Sequence, residues 1–208
     1  MRKQILTFSL ALLLTACATG NMKSIPPSVR NYKKVNYFAT HSQAAFKAVG
    51  SLVGNSLEGV LQIKKIGEED FDVQLLTGGI YRVLQATVSP EGVAYRYLFK
   101  DVDNALVRGR ITQFLNLLLQ NPGVYESSRS SQETVTVVYK STSAKTKLFY
   151  RPDALYPYAA RTSTTFNNAD LAYGEYTPSS AQGEEELPHV LVYQDGNIRL
   201  DLTLISLR

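Results

Sequence analysis

Along most of this chain apolar residues recur at every second position, the spacing that turns one face of a β-strand toward a core and the other toward water. Leu57, Gly59, Leu61 and Ile63 alternate with polar or small neighbours, and Phe71, Val73 and Leu75 do so again beyond Gly67-Glu68-Glu69-Asp70. A Gly78-Gly79 turn leads into a strand from Ile80 to Val88. Ser89-Pro90-Glu91-Gly92 then turns the chain into Val93 to Lys100, where Val93, Tyr95, Tyr97 and Phe99 share a face. Four successive strands joined by short turns predict an antiparallel meander.

The period changes to that of a helix twice. From Ser42, Ala45, Phe46, Val49, Leu52 and Val53 fit one helical face, with Gly50 and Gly54 limiting its length. From Val107 to Gln120, Ile111, Phe114, Leu115, Leu118 and Leu119 form a clearer stripe, ended by Asn121-Pro122-Gly123.

Strands return at 133–140 and 146–151, followed by an aromatic loop through Tyr150, Arg151, Tyr156, Pro157 and Tyr158. Weaker strands fit 161–166 and 171–176, then a polar, acidic loop from Thr177 to Glu186. His189 to Gln194 and Ile198 to Leu207 flank Asp195-Gly196, a type I′ hairpin signal, with Ile198, Leu200, Leu202 and Leu204 on the buried face of the last strand. The expectation is nine or ten strands and two helices in one domain, mostly β in an α+β class.

The N-terminus follows another rule. Met1-Arg2-Lys3-Gln4 is a basic start, Ile5 to Leu14 an apolar run too short to span a bilayer as a helix, and Thr15-Ala16 a small-residue site. Leu14-Thr15-Ala16-Cys17 resembles the lipobox at which a lipoprotein precursor is cut before a diacylated cysteine. The implied organisation is a signal peptide over 1–16, a lipidated N-terminus and tether over 17–40, and a body over 41–208. Cys17 would carry N-acyl and S-diacylglycerol groups, since two or more chains give the stable anchoring that one does not. Ala18 in place of an aspartate resembles the pattern sent on to the outer membrane, which predicts an outer-membrane lipid anchor on the periplasmic face.

Composition narrows the chemistry. Without Arg2 and Lys3 the 22 basic residues fall to 20 against 18 acidic, which is no electrostatic footprint for nucleic acid. Cys17 is the only cysteine, so its lipidation leaves hydrophobic packing to hold the fold. Two histidines, His41 and His189, form no ligand set with metal-site spacing. There is no nucleophile elbow and no phosphate-binding glycine loop. The acidic runs at 68–70 and 184–186 read as solvated loops, and the expectation is a non-catalytic protein without a cofactor other than its covalent lipid. Tyr150, Tyr156 and Tyr158 beside Arg151 form a candidate ligand platform.

The order of elements resembles a family. A lipobox, a meander containing Leu75-Leu76-Thr77-Gly78-Gly79-Ile80-Tyr81-Arg82, a central helix over Ile111 to Leu119, and Leu187-Pro188-His189-Val190-Leu191-Val192-Tyr193 before a terminal hairpin are similar to the LolA/LolB-like lipoprotein-localisation carriers and receptors, and to outer-membrane lipoproteins thought to share that fold. The resemblance implies a strongly curved antiparallel sheet, an incomplete barrel, capped by helices over an apolar cavity that receives acyl chains. It also implies the lipoprotein export machinery as a partner. Ile111, Phe114, Leu115 and Leu118, with Tyr95, Tyr97 and Phe99, are the candidate cavity wall. A second reading stays open: an envelope interaction or structural lipoprotein with a filled core, whose loops bind a protein or polysaccharide.

Overall fold

A computed structural model describes residues 32–52, 54–119, 123–142, 144–165, 167–176, 186–196 and 198–208. The signal peptide, Cys17, the Asn121-Pro122 pair and the acidic loop up to residue 185 lie outside the described residues.

The described residues form one twelve-stranded antiparallel sheet and one α-helix. The strands are β1 (Gln43–Leu52), β2 (Asn55–Lys65), β3 (Phe71–Thr77), β4 (Tyr81–Ser89), β5 (Gly92–Leu98), β6 (Val124–Ser130), β7 (Val135–Lys140), β8 (Lys145–Tyr150), β9 (Pro157–Ser163), β10 (Asn168–Tyr176), β11 (Pro188–Asp195) and β12 (Ile198–Leu207). Their spatial order is β5-β4-β3-β2-β1-β12-β11-β10-β9-β8-β7-β6. Every connection but one therefore joins hydrogen-bonded neighbours, and the pairing of β1 with β12 welds two meanders into one sheet. The exception is α1 (Ala105–Leu118), which carries the chain between the two edge strands, β5 and β6. The sheet is not closed into a barrel.

The segment expected as a first helix is strand β1. Its apolar positions fit a helical face only if Ala44 and Ala48 are ignored; read with period two, Ala44, Phe46 and Ala48 are all buried. Position 50 settles the matter, because a Cβ there would run into the Arg199 carbonyl of β12, and one on Gly59 would meet the Leu76 carbonyl of β3. Both glycines permit close strand approach, and Gly50 does so rather than limiting a helix.

Two further strands escape the pattern, or nearly so. β6 is an exposed edge with little apolar alternation, and β9 begins on Pro157, in a first-residue position that costs no ladder bond. Asp195 pairs with Ile198, so β11 runs one residue further than the Asp195-Gly196 signal suggests. Asp195 consequently shares the inward parity of Leu191 and Tyr193 and is completely buried.

Bulges set which side chains face the core. Between Gln85 and Ala86 the register with β5 shifts, pairing them with Tyr97 and Tyr95 and leaving Arg96 as the extra residue. Inward parity passes from Val93 and Tyr95 to Leu98, while Tyr97 and Phe99 turn out to 42% and 45% exposure. On β12 a similar shift leaves Ile205 outside, so that Leu204 and Leu207 both pack on the core. The core lies between the sheet and α1, and among the described residues no helix is long and apolar enough to cross a membrane.

Candidate functional site

Helix α1 begins at Asn104, whose side chain accepts from the Val107 amide at 3.0 Å, a cap that satisfies one of the orphan donors of the first turn. Val107, Ile111, Phe114, Leu115, Leu117 and Leu118 are buried against the sheet. On one side the Tyr95 hydroxyl of β5 donates to the Arg108 carbonyl at 2.6 Å and lies 3.0 Å from the Thr112 hydroxyl. Arg108 grips Asp103 with two bonds of 2.6 and 2.9 Å and lies over the Tyr95 ring. Burial raises the Tyr95 pKa against the opposing pull of Thr112 and Arg108.

The other side of α1 is held by a buried polar cluster. The Asp195 carboxylate takes a 2.5 Å bond from the Asn167 amide, lies 3.1 Å from the Tyr193 hydroxyl and faces Arg110 Nε at 3.7 Å. Asn167 also donates to Gln113 of α1 at 3.3 Å, and the Tyr193 hydroxyl sits 3.1 Å from the Arg110 carbonyl. The Tyr193 ring packs on Phe114 with centroids 4.9 Å apart. Burial first, then the Asp195 charge, pushes the Tyr193 hydroxyl well above the ordinary tyrosine value.

Between helix and sheet lies a cavity of about 30 Å³, lined by Ala48, Leu57, Leu61, Leu75, Ile111 and Phe114 among others, with no polar atom on its surface. That volume is an order of magnitude below the roughly 300 Å³ of a small ligand pocket. Of the seven residues expected in a cavity wall, Ile111 and Phe114 line it. Leu115 and Leu118 are buried elsewhere in the core, and Tyr95 binds the helix backbone. Tyr97 and Phe99 lie outside, carried there by the Arg96 bulge.

A larger hollow, about 490 Å³, opens where residues 32–38 cross the end of the sheet remote from Asp195. This stretch, expected within the tether, packs into the body. The Tyr32 ring packs at a tilt on Tyr150, Lys33 N–H donates to the Leu155 carbonyl, and the Tyr37 hydroxyl donates to the Pro188 carbonyl at 2.7 Å. Phe38 meets Phe71 at 4.9 Å, and Val35, Tyr37 and Phe38 are 1%, 2% and 4% exposed. The apolar run Val35, Tyr37, Phe38 was the available signal that this is no solvated tether. The hollow is walled by Val35, Phe38, Phe71, Val88 and Leu119, with Lys34 and Lys65 half-buried in it and Glu68 and Glu69 exposed at its rim. Lys34 Nζ lies 4.7 Å from the Tyr139 ring centroid, and Lys65 Nζ donates to the Phe38 carbonyl at 3.4 Å. Burial pushes the Lys34 ammonium below the usual lysine value, while the Glu69 charge pulls it back.

A second hollow of about 490 Å³ gathers Arg151, Tyr156, Tyr158, Tyr173 and Tyr176. It unites two of the three tyrosines of the expected platform with Arg151. Tyr150 is fully buried instead, and Tyr156 stacks on Tyr176 with centroids 6.0 Å apart.

No family model matches the chain, and no curated protein matches it in sequence. Among solved structures, a LolA superfamily protein from Nitrosomonas europaea superposes with a TM-score of 0.58 at 10% identity, covering 87% of this chain and 91% of that one. The chain has a LolA-like fold. A putative outer membrane lipoprotein-sorting protein domain from Vibrio parahaemolyticus is similar at 7% identity and a TM-score of 0.47, over 87% of this chain and 88% of its own. A DUF1329 family protein from Desulfovibrio piger follows at 10% identity and 0.44, over 82% and 86%. Among the described residues one helix, not two, caps the sheet.

Proposed function

We propose that this LolA-like chain is a non-catalytic, lipid-anchored envelope protein that takes an acyl chain between α1 and the sheet. The observation that carries the reading is the wholly apolar interior beneath a helix that alone spans two unpaired sheet edges. At about 30 Å³ that interior is too small for an acyl chain, so binding requires α1 to lift over the apolar void, away from its polar fastenings at Tyr95 and Asp195. The Cys17 lipidation motif, anchoring on the periplasmic face of the outer membrane and delivery by the lipoprotein export machinery belong to the same proposal.

Hydrogen exchange on the purified full chain, with and without added palmitate, tests it. The α1 amides exchange through an opening cheaper than global unfolding and slow when palmitate is present, while β1 and β12 stay protected throughout. The small interior favours a second reading, a packed module that binds a partner through its loops, with the tyrosine-lined hollow as its natural surface. An α1 as protected as β1, unmoved by palmitate, together with no lipid retained in native mass spectrometry, would leave that second reading standing.

A further inference from the structure

The hollow at residues 34–38 combines two features that a plain surface groove lacks. Part of its wall is hydrocarbon, from Val35, Phe38, Phe71, Val88 and Leu119, beside the polar Asn36 and Ser89, and its cations and anions differ in exposure. The cations Lys34 and Lys65 are half-buried, whereas Glu68 and Glu69 are exposed. Exposed carboxylates are screened by water and salt, while an ammonium partly removed from water acts on a nearby charge through a lower dielectric. Inside the hollow the positive charge therefore prevails. Lys34 is also under-solvated: its surroundings offer the Tyr139 ring face and, more distantly, the charge of Glu69. Such an ammonium gains more from an arriving anion than a fully hydrated lysine would, because its desolvation has already been met by folding.

We infer that this hollow seats the anionic head of an amphiphile, its carboxylate or phosphate held by Lys34 and Lys65 and the start of its hydrocarbon laid on Phe38, Phe71 and Leu119. The inference rests on the acyl-chain reading above and adds the polarity of the ligand to it. Lysines suit a head that varies in shape, since each is a point charge without the fixed fork of arginine.

The test uses the full chain, extracted in a non-ionic detergent, and three probes with one diazirine-bearing sixteen-carbon tail ending in a carboxylate, a phosphate or an alcohol. The expected result is photolabelling by at least one anionic probe about tenfold above the alcohol, the factor that one charge-assisted hydrogen bond supplies, with crosslinked peptides mapping to 34–38, 65–71 or 119. Which anionic probe prevails tells a fatty acid from a phospholipid head. Lys34→Gln combined with Lys65→Gln should bring the anionic and alcohol yields together, and Lys34→Arg alone should keep the preference, with melting temperatures of both variants close to the parent. Equal labelling by all three probes in the parent would overturn the headgroup inference and leave acyl binding intact; labelling by none would overturn both.

Discussion

The two ends of the sheet close the same interior with opposite chemistry. At the end that carries the β11–β12 turn, α1 is fastened by a completely buried carboxylate, Asp195, whose partners Arg110, Asn167 and Tyr193 come from three separate elements. At the other end residues 32–38 close the mouth with Val35, Tyr37 and Phe38, and the polar contacts there run to backbone carbonyls. A buried ionic cluster is held at one geometry, since any displacement strands a charge in low dielectric. An aromatic plug loses contacts gradually as it slides. If α1 lifts as proposed, the fixed hinge is the Asp195 end and the opening is the end crossed by residues 32–38.

Breaking the fixed end should have the largest effect. Asp195→Ala removes the acceptor from Asn167, Tyr193 and Arg110 at once and leaves a partly buried guanidinium without its counter-charge, for which a loss of about 3 to 4 kcal/mol is expected. Denaturant unfolding measures it. A cost below about 1 kcal/mol would show that Asp195 does not hold the helix and that the two ends are not different in kind.

At the plug, Phe38→Ala deletes a ring that is 4% exposed and packed on Phe71. Because the site borders a hollow that neighbours can collapse into, the expected loss is about 2 to 3 kcal/mol, below the usual range for a buried phenylalanine. Local hydrogen exchange should rise over residues 32–40 and leave α1 unchanged. If α1 loosened equally, the two closures would be one cooperative unit.

These two ends also differ in how far the sequence reveals them. The strands that alternate, β2 to β4 and β11 to β12, are legible because one face is solvated, and the α1 stripe is legible because Ile111, Phe114, Leu115 and Leu118 recur at helical spacing. β1 is not, since its inward alanines and Gly50 carry too little hydrophobic signal. The Arg96 bulge moves Tyr97 and Phe99 to the outside by a register shift that no periodicity records. Asp195 reads as a turn residue; its role as a hub depends on Arg110 and Asn167, 85 and 28 positions away in the chain, arriving at the same point. Val35, Tyr37 and Phe38 were visible as an apolar run but lay next to a segment whose prolines suggested a tether.

Both ends contain tyrosines that must stay neutral, which gives a pH test that spans the comparison. Burial holds the hydroxyls of Tyr37 at the plug, Tyr150 beside it and Tyr193 at the fixed end above the ordinary value near 10. Their folded pKa values exceed the unfolded ones, so the associated stability is fully present below pH about 10 and is lost as pH rises beyond it. With thirteen tyrosines and no tryptophan, tyrosinate absorbance reports the process directly. The buried Tyr37, Tyr150 and Tyr193 should ionise only together with loss of the β-sheet circular dichroism signal. Ionisation of Tyr37, Tyr150 and Tyr193 with the sheet intact would mean that the plug and the cluster are both open to water.

The smallest effect gives the finest discrimination, because the same atom can be removed at each end. Tyr37→Phe deletes a hydroxyl that donates to the Pro188 carbonyl, a neutral acceptor with a second lone pair, and should cost about 0.5 to 1.5 kcal/mol. Tyr193→Phe deletes one beside a buried carboxylate whose remaining partners are Asn167 and Arg110, and a bond to a charged group should cost about 1.5 to 3 kcal/mol. A double-mutant cycle with Asp195→Asn separates the two cases further. Tyr193 should couple to Asp195 by more than about 0.5 kcal/mol, whereas Tyr37, which shares no partner with Asp195, should add to it within error. Coupling of Tyr37 to Asp195 of the same size would mean that closing the mouth and fastening the helix are a single event, and the hinge and the opening would have to be sought elsewhere in the molecule.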